Sequence, residues 1–142
     1  MKMPEALADF KWKSPTGDPT IFQKAFGPGT TVFSHLGSHS SSLVDFNNLM
    51  AGQRFNRLNW FDFFPVQDNL LKGAEESGSP LLVDIGGAQG FELQQFKNRF
   101  PSAQGQLILQ DLPFVIDSIT DLDEAIVRMK HDFFTPQPVK RR

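Results

Sequence analysis

Cysteine is absent from the 142 residues, which removes a disulfide framework, a thiolate zinc site and a cysteine nucleophile together. Tyrosine is absent as well, while phenylalanine occurs 15 times and tryptophan twice. The aromatic complement therefore offers buried area and pocket walls but no phenol for acid–base work. Neither sign of charge dominates: 14 basic and 16 acidic residues give a net charge of -2, leaving no electrostatic footprint for wrapping a polyanion. Nucleic acid is not expected as a partner. No run approaches the roughly 20 apolar residues of a spanning helix. Residues 1–10 carry Glu5 and Asp9 where a signal peptide would need an apolar core. The expectation is a cytoplasmic protein without a membrane partner.

A length of 142 residues suits one domain, able to bury roughly two-thirds of the surface that its unfolded chain would expose. Composition shifts near Ser77-Gly78-Ser79-Pro80, where glycine and proline punctuate the chain. Residues 1–78 read as a helical, Phe-rich segment, and residues 79–142 alternate strand-like and helix-like periods. In the first part, a short helix over 19–26 starts near a threonine cap and stops at Gly27-Pro28-Gly29. Two more helices are expected, over 41–57, with Leu43, Phe46, Leu49 and Met50 as its apolar stripe, and over 65–76. His35 and His39 are four apart, but Gly37 should break a helix there, so an exposed Ser-rich loop is expected rather than a metal site.

In the second part, Leu81–Ile85 is a continuous apolar run of the kind found in buried parallel strands. Gly86–Gly90 forms a loop, and Phe91, Leu93, Phe96 and Phe100 line one face of a helix that ends before Pro101. Further strands are expected at 106–110 and 126–130, with a helix opened by Pro113 between them. The fold class is α/β: a partial Rossmann-like sheet, βαβαβ, preceded by a helical segment.

Gly86, Gly87 and Gly90 sit between a strand and a helix, where the backbone must turn sharply and approach a ligand that a Cβ would repel. A strict dinucleotide fingerprint is not met, because Ile85 occupies the first glycine of that pattern. A nicotinamide dehydrogenase is therefore disfavoured. Asp84, at the tip of an apolar strand, would repel a pyrophosphate but could offset the charge of an α-amino group. S-adenosylmethionine is such a ligand. Asp111, 21 positions after Gly90 at a strand end, can accept both ribose hydroxyls.

Three stretches, Leu82–Gly90, Leu109–Pro113 and His131–Pro136, carry a resemblance to small-molecule O-methyltransferases of fungal secondary metabolism. The resemblance implies a cofactor set of Asp84, Gly86, Gly87, Gly90, Asp111, Leu112, Asp132 and Phe133. In it, Gly86 and Gly90 line the methionine moiety, Asp111 holds the ribose, and Asp132 with Phe133 flanks the adenine. Ala88 departs from the pattern, which usually has a third glycine there. The resemblance further implies a small hydroxylated substrate, aromatic or polyketide-type, and a Trp60–Pro65 cluster that walls its pocket or simply packs a core. Measured against the family, the chain reads as shortened at both ends, with no counterpart of the catalytic histidine. The alternative to a methyltransferase is thus an inactive homologue or partner subunit. Leu81–Ile85 would then be an open sheet edge that a homo- or hetero-oligomer could cover.

Overall fold

The computed structural model describes residues 3–54, 56–72, 74 and 79–140. Its chain divides into two compact units, 1–46 and 47–142.

Within the first unit, short polar motifs rather than a core start the helices. Helix α1 spans Met3–Asp9, α2 Ile21–Phe26 and α3 Val32–Ser38. Thr20 caps α2 by accepting from Gln23 N, and the Gln23 side chain returns the bond to Thr20 N. Thr31 and Ser34 repeat this reciprocal box at α3. Lys24 joins α2 to α1 through Asp9 at 2.6 Å, and Leu36 is the one buried hydrophobic residue among those described in this unit.

Where a loop is expected at His35 and His39, His35 is instead helical and His39 is the extended residue that ends α3. Gly37 lies inside α3, and the two rings stack with centroids 4.0 Å apart, extending a ladder that includes Phe26 and Phe22. The capping box and the Ser38 hydroxyl, which donates to the Ser34 and His35 carbonyls, offset the roughly 1 kcal/mol that a helical glycine costs. Helix α4, Ser40–Gln53, spans the division between the units and contains no buried residue. Its predicted stripe is half-buried at Leu43, Phe46 and Met50 and exposed at Leu49.

The second unit is organised by three parallel strands, β1 (Pro80–Ile85), β2 (Gln106–Asp111) and β3 (Ile126–Lys130), in the order β1-β2-β3. Helix α5 (Phe91–Arg99) links β1 to β2, and α6 (Pro113–Asp117) links β2 to β3. This is the α/β architecture expected from the alternating periods. Leu93 and Phe96 of α5 are fully buried, with Leu109, Gln110 and Ile126 of the sheet. Strand β1 is only half-buried, because one of its edges pairs with β2 and the other pairs with no described strand.

Although composition shifts near residue 78, Trp60 and Phe61 pack with the sheet unit. Trp60 stacks on Phe96 at 5.6 Å with the planes 6° apart, and Phe61 meets Phe96 and Phe100 edge-on. The helix expected over 65–76 is a wide π-type turn over Gln67–Leu71; residues 73, 75 and 76 of that expectation lie outside the described residues. No helix among the described residues is long and apolar enough to cross a membrane.

Candidate cofactor site

The residues expected to hold the cofactor lie at the C-terminal ends of the three strands, where open α/β sheets bind ligands. The loop after β1 is fixed by main-chain bonds to β2: Gly86 N and Gly87 N both donate to the Gln110 carbonyl, at 2.7 and 3.3 Å. Gly90 N closes the turn onto Gly87 O at 2.9 Å, and Gly90 starts α5 from the left-handed region at φ 77°.

At two of the glycines a side chain would force its neighbours to move. A β-carbon at Gly87 would stand 2.5 Å from Asp84 Oδ2 and from Leu109 Cδ1, and one at Gly90 would stand 2.9 Å from the Leu122 methyls. Ala88 also has a positive φ, 51°. The glycine usual in the family's pattern would adopt it without the roughly 1–2 kcal/mol that an L side chain costs there.

Asp84 is the electrostatic anomaly. Its Oδ2 is buried and has no hydrogen-bond partner, and burial pushes its carboxyl above the usual carboxylate range. Glu92 and Asp111 add to the rise, while Arg54 opposes it. Arg54 pairs with Glu92 Oε1 and lies 5.4 Å from the Phe91 ring centre; Glu92 Oε2 is likewise buried without a partner. Two partly buried carboxylates with one guanidinium leave an excess of negative charge beside the loop, which a bound cation would offset.

Asp111 spends one lone pair of each oxygen on the main chain. Its Oδ2 accepts from Ala88 N at 2.8 Å and its Oδ1 from Leu112 N at 2.7 Å. An ionised carboxylate has about four acceptor positions, so each oxygen keeps one for a ligand. Leu112 is the residue preceding α6, whose first position is Pro113.

Beyond β3, His131 N donates to Asp111 O at 2.8 Å, and Asp132 then closes its own turn by accepting from Phe134 N at Oδ1 and from Thr135 N at its carbonyl. Asp132 and Phe133 are exposed, so their faces are open to a ligand. Of the Trp60–Pro65 cluster, Trp60 and Phe61 belong to the core while Phe63 and Phe64 remain exposed. A groove of about 350 Å³ past the end of α5, lined by Leu71, Arg99, Phe100 and Gln104 among others, includes none of the predicted site residues.

Sequence reasoning missed Arg54 and Glu92, because partners 38 positions apart leave no local signal beyond an acid in the first turn of α5. It also missed Gln110, which reads as one polar letter in an apolar strand.

A three-stranded parallel sheet with a glycine loop after its first strand and acids at the next two strand ends defines a Rossmann-like nucleotide-cofactor fold. Known proteins narrow this class. No family model matches the chain. Among curated proteins it is 36% identical to "Methyltransferase cfoC" of Aspergillus candidus, over 97% of this chain and 35% of that protein. It is also 36% identical to "O-methyltransferase mfmE" of Annulohypoxylon moriforme, over 98% of this chain and 34% of that one. Among solved structures it matches LepI in complex with SAM, with a TM-score of 0.72 and 32% identity over 97% of this chain and 36% of that chain. The chain spans about a third of the length of these relatives. Over that third, its sequence is similar to fungal O-methyltransferases along nearly its whole length.

Proposed function

We propose that this chain binds S-adenosylmethionine at the glycine loop and serves the methylation of a hydroxyl on a small aromatic or polyketide-type metabolite, in the cytoplasm. The observation that carries the reading is Asp84 Oδ2, buried without a partner against the Gly87 backbone at the end of β1. A carboxylate held there at a cost gains most from a ligand that brings an ammonium group. The relatives named as O-methyltransferases and the neighbour solved with SAM support the same cofactor.

In this reading Asp84, Gly86, Gly87 and Gly90 hold the methionine end. Arg54, beside them, balances the ligand's carboxylate. The remaining acceptor positions of Asp111 take the ribose hydroxyls next to Leu112, Asp132 accepts the adenine amino group, and Phe133 stacks on the ring. The cofactor, when bound, supplies an electrophilic methyl group; the chain's own part is to fix that group and shield it from water. Phe63 and Phe64 are the members of the aromatic cluster left to face a substrate. A homo- or hetero-oligomeric partner would cover the free edge of β1.

Calorimetry with S-adenosylhomocysteine tests the reading. Binding is expected for the chain and is expected to be lost in Asp84→Ala; no heat from the folded, unsubstituted chain refutes it. Label transfer from methyl-labelled cofactor to a panel of hydroxylated aromatics then separates an active methyltransferase from the second role, an inactive homologue or partner subunit, which binds without transferring.

A further inference from the structure

Gln110 is the one buried polar or charged residue among the described residues, and its side chain is not idle. Its Nε2 donates to Gln137 Oε1 and its Oε1 accepts from Gln137 Nε2, both at 2.8 Å, so the two amides close a ring of two hydrogen bonds. Met129 Sδ lies 3.0 Å from the same Nε2, and Gln137 Oε1 also accepts from Val139 N at 3.0 Å. The pair brings the chain beyond β3 back onto β2.

Its placement matters more than its strength. Residues 132–136 are tied down at both ends to successive residues of β2, by His131 N on the Asp111 carbonyl and by Gln137 on the Gln110 amide. The same two β2 residues hold the glycine loop, Gln110 through its carbonyl and Asp111 through its carboxylate. One dipeptide thus anchors both loops of the site.

We propose that the Gln110–Gln137 amide pair is a positioning device that sets the Asp132-Phe133 turn in register with the glycine loop, so that the two ends of one elongated ligand are gripped at a fixed spacing. Gln110 and Gln137 touch no ligand themselves; they act through the turn. The proposal rests on the cofactor reading above in what the turn grips, and on the hydrogen bonds alone in what holds the turn.

The test combines S-adenosylhomocysteine calorimetry with hydrogen exchange at the Phe134 and Thr135 amides. Gln137→Ala is expected to weaken binding about tenfold, the equivalent of one hydrogen bond with a buried partner left unpaired. It should also speed exchange at those two amides while leaving that of Gly86 unchanged. Unchanged affinity with unchanged exchange overturns the proposal. Gln137→Glu separates positioning from packing. When ionised, the introduced carboxyl can only accept and leaves Gln110 Oε1 unpaired; when protonated it donates and closes the ring again. Its deficit relative to the unsubstituted chain should therefore shrink as pH falls, and a deficit indifferent to pH argues against the device. If Gln137→Ala does not fold, the double variant Gln110→Leu/Gln137→Leu, which buries no unpaired amide, should fold and still bind weakly; full affinity in it overturns the proposal. If the unsubstituted chain takes up no S-adenosylhomocysteine, the cofactor reading fails by itself, and exchange at Phe134 and Thr135 alone decides the clamp.

Discussion

The two compact units are ordered by different means. In residues 47–142, Leu93, Phe96, Leu109, Ile116 and Ile126 meet in one buried cluster with Phe61 and Val66. Among the described residues of 1–46 the helices are short, Leu36 alone is a buried hydrophobic residue, and order comes from two reciprocal capping boxes, a ladder of rings and a lysine–aspartate pair. A unit of the first kind resists local damage until its core fails, whereas one of the second kind loses each element separately. The candidate cofactor-site residues all belong to the unit that has the core.

The largest effect should come from Phe96→Ala. It empties the centre of the Trp60–Phe96–Phe61 stack and is expected to cost about 3–5 kcal/mol, abolishing cooperative unfolding of the sheet unit by near-ultraviolet dichroism. A Phe96→Ala protein with an unchanged melting curve would mean that the two units do not differ as described.

Asp84→Asn probes the candidate site in the same unit. Because the folded-state carboxyl titrates above its ordinary value of 3.8, the folded state binds more protons than the unfolded one, and stability falls as pH rises through the window from 3.8 to the raised value. Below that window both states are protonated and the penalty is absent. The amide variant should lack this decline and be the more stable protein at neutral pH, measured by urea titrations at acidic and neutral pH.

Thr31→Ala should cost about 1 kcal/mol, confined to α3: its amides should exchange faster while the sheet unit's transition stays in place. A shift of the sheet transition would show the units to be coupled. Smallest of all, Ala88→Gly should stabilise by about 0.5–1 kcal/mol, since relief of the left-handed side chain outweighs the entropy of the added glycine.

The sheet was legible because each strand announces itself locally. Pro80 opens β1, the apolar run reaches Ile85, glycines follow at once, and Pro113 marks the start of α6. The same locality put Asp84, Asp111 and Asp132 at the strand ends. What could not be read were pairings across the chain: Arg54 with Glu92, Gln110 with Gln137, and Trp60 on Phe96 are tertiary choices with no sequence period. The helix α3 was hidden for a different reason, since the Gly37 penalty is visible in the sequence while the caps and ring stacking that outweigh it act together only in the folded unit.

Gln110 and Asp111 face opposite sides of the pleat as neighbours on β2 must. A slip of that strand by one residue would exchange the faces of the two side chains, and both loops would come away from it together. Mispairing of this sheet therefore has no partly ordered form: the contacts that shape its loop end also proofread the alignment of the strands beneath it.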